Sequence, residues 1–190
     1  MSIRCFIAIE IPDEVKRALG RMQQSLRGAG VKVRWMDPRV IHLTTKFLGD
    51  VADADIPKVC EVMKRVSAGV RPMELSVTGV GSFPARGAPR VLWAGVEGDV
   101  ESLADLVARM DRALADDVGI QAEHRPFRPH LTLGRVKSSR NVEQLQEMMT
   151  RNASAAFGDF QADVITLFMS KLEPEGAIHT PMANVAFAGE

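Results

Sequence analysis

Apolar residues follow two patterns that alternate along the chain. Residues 3–9 (IRCFIAI) form a short apolar run that predicts a buried strand, and apolar residues recur at helical spacing through 13–27. Both patterns continue to the end of the chain. We predict further helices at 55–68, 100–117 and 141–151, and further strands at 40–48, 73–80, 90–96, 130–136, 159–170 and 178–187.

The order of these elements predicts an α+β fold with a weak internal duplication. One strand around residue 42 and another around residue 130 each follow a helix and precede another. Nothing between the halves resembles a long linker or a low-complexity segment. We therefore expect one domain over 1–190 with two intertwined, pseudo-symmetric lobes. Each would hold a mainly antiparallel sheet facing a central cleft, with the helices outside.

The composition of the chain limits which classes of function this protein can have. A chain of 190 residues with 46% hydrophobic residues can bury a core without a disulfide or metal, so Cys5 and Cys60 are expected to be buried free thiols. The 24 basic and 24 acidic side chains cancel, which argues against a protein that coats long nucleic acid. No apolar run is long enough to span a membrane, and no signal peptide is recognisable. We expect a cytoplasmic monomer with no obligate protein partner.

The most informative motif is His-Leu-Thr-x, which occurs at His42–Thr45 and again at His130–Leu133. On a strand, side chains alternate between faces, so each His would share a face with its Thr while each Leu enters the core. If the lobes are related by an approximate two-fold axis, the two His-Thr pairs would face each other across the cleft.

Two imidazoles and two hydroxyls suit in-line displacement at a phosphodiester. One His can act as general base on the attacking oxygen and the other as general acid on the leaving oxygen. Thr44 and Thr132 can donate hydrogen bonds to the non-bridging phosphate oxygens. This chemistry requires no metal and no cofactor.

Other interpretations of the two histidines remain open at this stage. A His-x-Thr on a strand can simply be part of a solvated polar face. Two copies at equivalent points of the internal repeat argue against this explanation. A zinc site would need partners that no H-E-x-x-H or C-x-x-C spacing supplies. A Cys-His site has no supporting motif, and Ser-His-Asp chemistry lacks its G-x-S-x-G turn.

Five blocks give the chain a family resemblance. They are the opening RCFIAI with Pro12, residues 42–49 (HLTTKFLG), GSFP at 81–84 with PRVLWAGV at 89–96, residues 127–135 (FRPHLTLGR), and SKL at 170–172 with Gly176-Ala177. With them the chain resembles the 2H phosphoesterase superfamily, and within it the RNA 2′,3′-cyclic phosphodiesterases, historically called 2′-5′ RNA ligases. Thr45 stands where Leu is usual. His179 stands where Tyr is usual and is given no role.

The resemblance implies hydrolysis of RNA 2′,3′-cyclic phosphate ends, such as those of tRNA fragments, to a 2′-phosphate, and a reversible 2′-5′ ligation. By the same resemblance, His42 protonates the leaving 3′-oxygen and His130 activates water. The alternatives are an RNA-end or nucleotide-binding module without turnover, and a phosphodiesterase for another small cyclic phosphate or a 2′-5′ oligoadenylate.

Residues near the motifs are weaker candidates. Arg135 is a candidate phosphate ligand if Gly134 marks a bulge that turns it toward the cleft. Phe47 is a candidate for substrate binding, although core packing explains it more simply. Trp93 is expected in the core, and Lys46 and Arg128 either steer RNA or are solvated charges.

Overall fold

A computed structural model describes residues 1–138, 141–173 and 176–189. Within these ranges the chain forms nine strands and four α-helices. The strands are β1 (Ser2–Glu10), β2 (Val33–Trp35), β3 (His42–Ala52), β4 (Met73–Phe83), β5 (Val91–Gly98), β6 (His130–Val136), β7 (Ala156–Ala162), β8 (Val164–Glu173) and β9 (Gly176–Ala186). The helices are α1 (Asp13–Arg27), α2 (Ile56–Ser67), α3 (Val100–Val118) and α4 (Val142–Arg151).

Over the described residues, the strands form two sheets in which every pairing is antiparallel. The first sheet has the strand order β3-β1-β8-β9, and the second has the order β2-β6-β5-β4-β7. The expected α+β fold with two pseudo-symmetric lobes is therefore confirmed.

The helices cross between the lobes. Although α1 directly follows β1 of the first sheet, it packs against β7 of the second sheet and against α4, which itself contacts β4. Helix α3 follows β5 of the second sheet, packs with α2, and contacts β3 of the first sheet as well as β4 of the second. The lobes are thus intertwined, and one large hydrophobic cluster runs through both. None of the helices in the described residues is long and apolar enough to cross a bilayer.

Helix α1 also supports one of the motif strands. Its buried face contains Gln23 among the apolar side chains. The Gln23 amide donates to the carbonyl oxygens of Met36 at 2.8 Å and Leu133 at 2.9 Å. Because Leu133 is the last residue of the second motif, this buried hydrogen bond ties α1 to the strand that carries His130.

The structure differs from the sequence predictions in three details. The strand expected at 159–170 is two strands, β7 and β8, which belong to different sheets. The short strand β2 was not predicted, because three residues carry too little pattern. The strand expected at 40–48 continues to Ala52, with Gly49 at a positive φ of 72°.

Candidate active site

The two motif strands come from different sheets and meet each other. His42 is the first residue of β3, and His130 is the first residue of β6. These strands are not hydrogen-bonded neighbours, yet their Cα atoms approach within 8 Å. Both His side chains are partly buried, as are Thr44 and Thr132, while the Leu between each pair lies in the core. The expected division of each motif between an inner and an outer face is confirmed.

Strand β3 contains a bulge at Thr45. His42, Thr44 and Phe47 lie opposite Glu10, Ala8 and Phe6 of β1 in the register, so the extra residue falls between Thr44 and Lys46. Directly paired residues point to the same face, and the three partners in β1 are two residues apart. The bulge therefore returns Phe47 to the face of His42 and Thr44. The Thr45 hydroxyl donates to the Ile7 carbonyl oxygen at 3.0 Å within this bulge.

Strand β6 contains the same irregularity at the equivalent position. His130, Thr132 and Arg135 lie opposite Gly95, Trp93 and Val91 of β5, which are again two residues apart. The extra residue is Leu133, one position earlier than the bulge predicted at Gly134. Arg135 thus shares a face with His130 and Thr132.

A pair of bulges explains why the simple alternation of side chains fails five residues after each His. In each strand the two residues after the Thr are both buried: Thr45 and Lys46 in β3, and Leu133 and Gly134 in β6. The next residue then emerges on the outer face. The two lobes place different chemistry at this position, an aromatic ring in Phe47 and a guanidinium in Arg135.

The two imidazoles are held in the same way. The Nδ1 atom of His42 lies 2.8 Å from the Val40 carbonyl oxygen, and that of His130 lies 2.7 Å from the Arg128 carbonyl oxygen. A carbonyl oxygen only accepts, so Nδ1 donates in both rings and carries the proton of the neutral form. The proton that exchanges during a reaction is then on Nε2 in both residues.

Aromatic rings surround His42. Its ring stacks on Phe6 at 4.7 Å, and Phe6 stacks on Phe168 at 5.2 Å. Together with Ala8, these two phenylalanines form a small buried cluster separate from the main core. His179 of β9 meets His42 edge-on, with the ring centroids 5.3 Å apart.

This setting keeps His42 neutral in the free protein. Burial disfavours the imidazolium and lowers the pKa of His42 to about 4. The hydrogen bond to Val40 opposes the shift, whereas positive charge on His179 and Lys16 adds to it. A bound anion next to the ring would act in the opposite direction and favour the protonated form.

The surroundings of His130 are also aromatic but more open. Phe83 meets the His130 ring edge-on at 5.1 Å and lies 5.4 Å from Trp93. The indole of Trp93 covers Gly81, where an added Cβ would come within 2.4 Å of the ring. Trp93 therefore lies on the outer face of its sheet rather than in the core, and its buried Nε1 has no hydrogen-bond partner among the described residues.

The exposed fractions of Phe47 and Lys46 correct two other expectations from the sequence. Phe47 is 69% exposed, so the interpretation as a core residue is wrong. Lys46 is 7% exposed and forms an ion pair with Asp111 of α3, with a second hydrogen bond to the Gln121 carbonyl oxygen at 2.8 Å. Lys46 therefore joins β3 to α3 and is not a solvated or RNA-steering charge. Arg128 is exposed, as expected for a solvated charge.

A cavity of about 360 Å³ lies beside Phe47. It is bounded by residues 46–49 of β3 and by the segment 120–124, which includes Gln121 and His124. Strand β3 is an edge strand, so the cavity lies along the unpaired side of the motif strand. Within the described ranges, no three His, Cys, Asp or Glu side chains are grouped so that they could hold a metal ion.

Two antiparallel sheets with one His-Thr strand each define a class of duplicated phosphoesterases, and comparison with known families agrees. The family model of LigT-like phosphoesterases matches this chain twice, over residues 9–93 and 96–179. Each match contains one motif. The chain belongs to this family, which confirms the resemblance noted in the sequence.

Named relatives cover nearly the whole chain. An RNA 2′,3′-cyclic phosphodiesterase of Methanothermobacter thermautotrophicus is 33% identical over 96% of this chain and 97% of its own length. The protein of the same name from Archaeoglobus fulgidus is 32% identical over 93% of this chain and 96% of its own length.

Solved structures share the fold. TT0787 of Thermus thermophilus superposes with a TM-score of 0.82 at 27% identity, covering 99% of this chain and all of that one. LigT of E. coli in complex with 3′-AMP gives a TM-score of 0.81 at 21% identity, covering 98% of this chain and 99% of that one.

Proposed function

We propose that this protein hydrolyses the 2′,3′-cyclic phosphate at an RNA end, without a metal, to a 2′-phosphate and a free 3′-hydroxyl. The observation that carries the proposal is the matched pair of His-Thr strands, each with its imidazole Nδ1 bound to a backbone carbonyl. The names of the relatives support the same substrate.

The proposed reaction uses one proton transfer at each imidazole. Water attacks phosphorus while the Nε2 atom of His130 takes its proton. The bond from phosphorus to the 3′-oxygen breaks, and the Nε2 atom of protonated His42 gives a proton to that oxygen. Thr44 and Thr132 donate to the non-bridging oxygens, where charge accumulates. Neither hydroxyl is hydrogen-bonded to another described residue, so both are available to a substrate.

The low pKa of His42 sets a condition on this assignment. His42 is neutral in the free protein at neutral pH, yet a general acid must carry a proton. The negative charge of the bound phosphodiester would raise the pKa of His42, because an opposite charge next to a buried imidazole stabilises its protonated form. Proton uptake by His42 would therefore accompany substrate binding.

Two side chains extend the proposed site beyond the phosphate. Arg135 lies on the face of His130, is exposed and forms no ion pair with another described residue, so its guanidinium can bind phosphate oxygens. Phe47 lies on the face of His42, and its exposed ring beside the cavity can stack on the terminal nucleobase. These two residues would orient the strand end without reading much sequence.

The direct test is to incubate the protein with a short RNA ending in a 2′,3′-cyclic phosphate, with a chelator present. We expect a 2′-phosphate product at an undiminished rate. Activity that disappears with the chelator and returns with zinc or manganese would contradict the metal-free mechanism. Binding of the RNA end without any product would favour the binding-module alternative. Adding an RNA with a 5′-hydroxyl, which would attack the cyclic phosphate in place of water, tests the reversible 2′-5′ ligation.

A substrate with sulfur in place of the 3′-oxygen separates the two His roles. Replacing either His42 or His130 with Ala should reduce the rate with the oxygen substrate by ~10² or more. A thiolate leaves without a proton, so the sulfur substrate should restore much of the rate in His42→Ala but not in His130→Ala. Rescue of His130→Ala instead would reverse the two roles.

A further inference from the structure

His179 is a third histidine at the proposed site, although it belongs to neither motif. It lies on β9 and pairs in register with Ser170 of β8, at the far edge of the first sheet from β3. Its ring nevertheless reaches the rings of both Phe6 and His42.

His179 makes edge-on contacts with two rings. Its ring is nearly perpendicular to His42 (87°, centroids 5.3 Å apart) and to Phe6 (80°, centroids 4.8 Å apart). The face of His42 rests on Phe6, and its Nδ1 is bound to the Val40 carbonyl oxygen. His179 adds a contact that these two do not provide, and it restricts rotation of the His42 ring away from the stack.

The Nδ1 atom of His179 is buried and has no hydrogen-bond partner among the described residues. Buried polar atoms of this kind are uncommon and call for an explanation. A protonated ring would carry a proton on this nitrogen with no acceptor, so burial disfavours the charge and lowers the pKa of His179. His179 is therefore kept neutral around neutral pH, where it can contact His42 without repelling its proton.

We infer that His179 is a positioning residue for His42: its ring holds the His42 imidazole against Phe6, and any charge on His179 opposes proton uptake by His42. The inference rests on the proposed function only for its effect on turnover, because the ring contact is present in the free protein and the charge coupling can be measured there.

Two other charged residues are related to His42 in the structure. Glu10 of β1 lies opposite His42 in the register, and Lys16 of α1, 3.9 Å from Asp13, adds a positive charge. On β8, Lys171 and Glu173 are paired with each other at 2.6 Å. Of the titratable groups named here, His179 is the one whose ring contacts the His42 ring.

The test combines NMR titration of His42 with steady-state kinetics in three variants. His179→Phe keeps a ring but removes the titratable charge. His179→Ala removes both the ring and the charge. Ile178→Ala is the matched control, since Ile178 is the exposed neighbour on the same strand and pairs with Lys171.

We expect His179→Phe to retain kcat within a few-fold of wild type and to raise the pKa of His42 in the free protein. His179→Ala should lower kcat by ~10 to ~100-fold with little change in KM, the usual effect of a misplaced catalytic group. Ile178→Ala should match wild type in both measurements. If alanine at position 179 prevents folding, His179→Asn serves the same comparison.

Two results would overturn the inference. Wild-type kcat in the variant without a ring would exclude positioning, and an unchanged His42 titration in His179→Phe would exclude the charge coupling. The titration requires no substrate. If the protein failed to hydrolyse any cyclic phosphate, the proposed function would fall while the coupling between His179 and His42 could still be measured.

Discussion

At the residue scale, the environment of His42 decides what it can do. A histidine stacked on Phe6 and contacted edge-on by His179 has lost much of the water that would solvate its charge. The imidazolium then depends on a partner of opposite charge, which a phosphodiester provides. In the proposed reaction, His42 would therefore take up a proton when the substrate binds.

The first prediction follows from this dependence. In the free protein, His42 should titrate with a pKa of about 4, so that it is neutral at every pH well above that value. Binding of adenosine 2′-monophosphate, a mimic of the proposed product, should raise this pKa because the phosphate stabilises the imidazolium. NMR titration with and without the nucleotide measures both values, and His42→Gln assigns the signal. An unchanged pKa in the complex would contradict contact between His42 and the phosphate.

The second prediction concerns the two motif hydroxyls. Thr44→Val and Thr132→Val keep the shape of the side chain but remove one donor, so each should reduce kcat by ~10-fold, the equivalent of one hydrogen bond. Thr44→Ser and Thr132→Ser should retain most of the activity. As a control, Thr45→Val should lower stability with little effect on kcat, because the Thr45 hydroxyl bonds to Ile7 within the sheet. Equal losses in all three valine variants would point to a structural role.

At the element scale, the bulges in β3 and β6 determine which side chains reach the site. A regular strand would turn Phe47 and Arg135 away from the His-Thr face, and one extra residue in each strand restores them. Strand β6 also requires a glycine directly after its bulge, because β2 approaches closely there. A Cβ on Gly134 would lie 2.7 Å from Val33 Cγ1 and 3.1 Å from the Arg34 carbonyl oxygen of β2.

The third prediction tests this close approach. Gly134→Ala should destabilise the protein by about 1–3 kcal/mol, because Val33 and the backbone of β2 would have to shift within the pairing of β2 with β6. Gly69→Ala is the matched control, since a Cβ there meets nothing within 4 Å, and its stability should change little. Urea unfolding of both variants gives the comparison. A Gly134→Ala protein as stable as wild type would show that β2 is loosely held.

The fourth prediction concerns the side chain that the first bulge exposes. Phe47→Ala should raise KM for an RNA end by ~10-fold or more, the cost of losing one base-stacking contact, with little change in melting temperature. Phe168→Ala, which empties a buried position in the same sheet, should instead lower the melting temperature strongly. A loss of stability in Phe47→Ala without any change in KM would place Phe47 outside the substrate site.

At the scale of the whole molecule, the two halves of the chain share both sheets. Strand β1 is paired on one side with β3 and on the other with β8, from the second half of the chain. The second sheet similarly pairs β4 with β7 and β5 with β6. Each lobe therefore needs strands from both matches to the family model.

The fifth prediction is that neither half folds alone. A fragment of residues 1–98 would leave one edge of β1 unpaired and the apolar core incomplete, so it should show no cooperative unfolding by circular dichroism. Coexpressed with residues 99–190, it should associate into a native-like complex. Cooperative unfolding of the 1–98 fragment by itself would mean that each half is an independent lobe. Size-exclusion chromatography of the intact chain tests the expected monomer.

The sequence by itself determined most of the elements and the twin motif on which the proposed chemistry rests. The spacing of His and Thr predicts which side chains share a face, because alternation within a strand is a local property. Apolar periodicity located α1, α2, α3 and α4. The family resemblance, carried by short blocks around the motifs, was confirmed over both halves of the chain.

Only the tertiary structure decided where the neighbours of the motifs point. The bulges at Thr45 and Leu133 exist only relative to β1 and β5, which are distant in sequence. No local pattern therefore placed Phe47, and Gly134 indicated the bulge before Arg135 only to within one residue. The low pKa of His42 likewise arises from burial against rings on β1, β8 and β9. Register and burial are long-range properties of the assembled sheets, and they turn a motif visible in the sequence into a site with a defined protonation state.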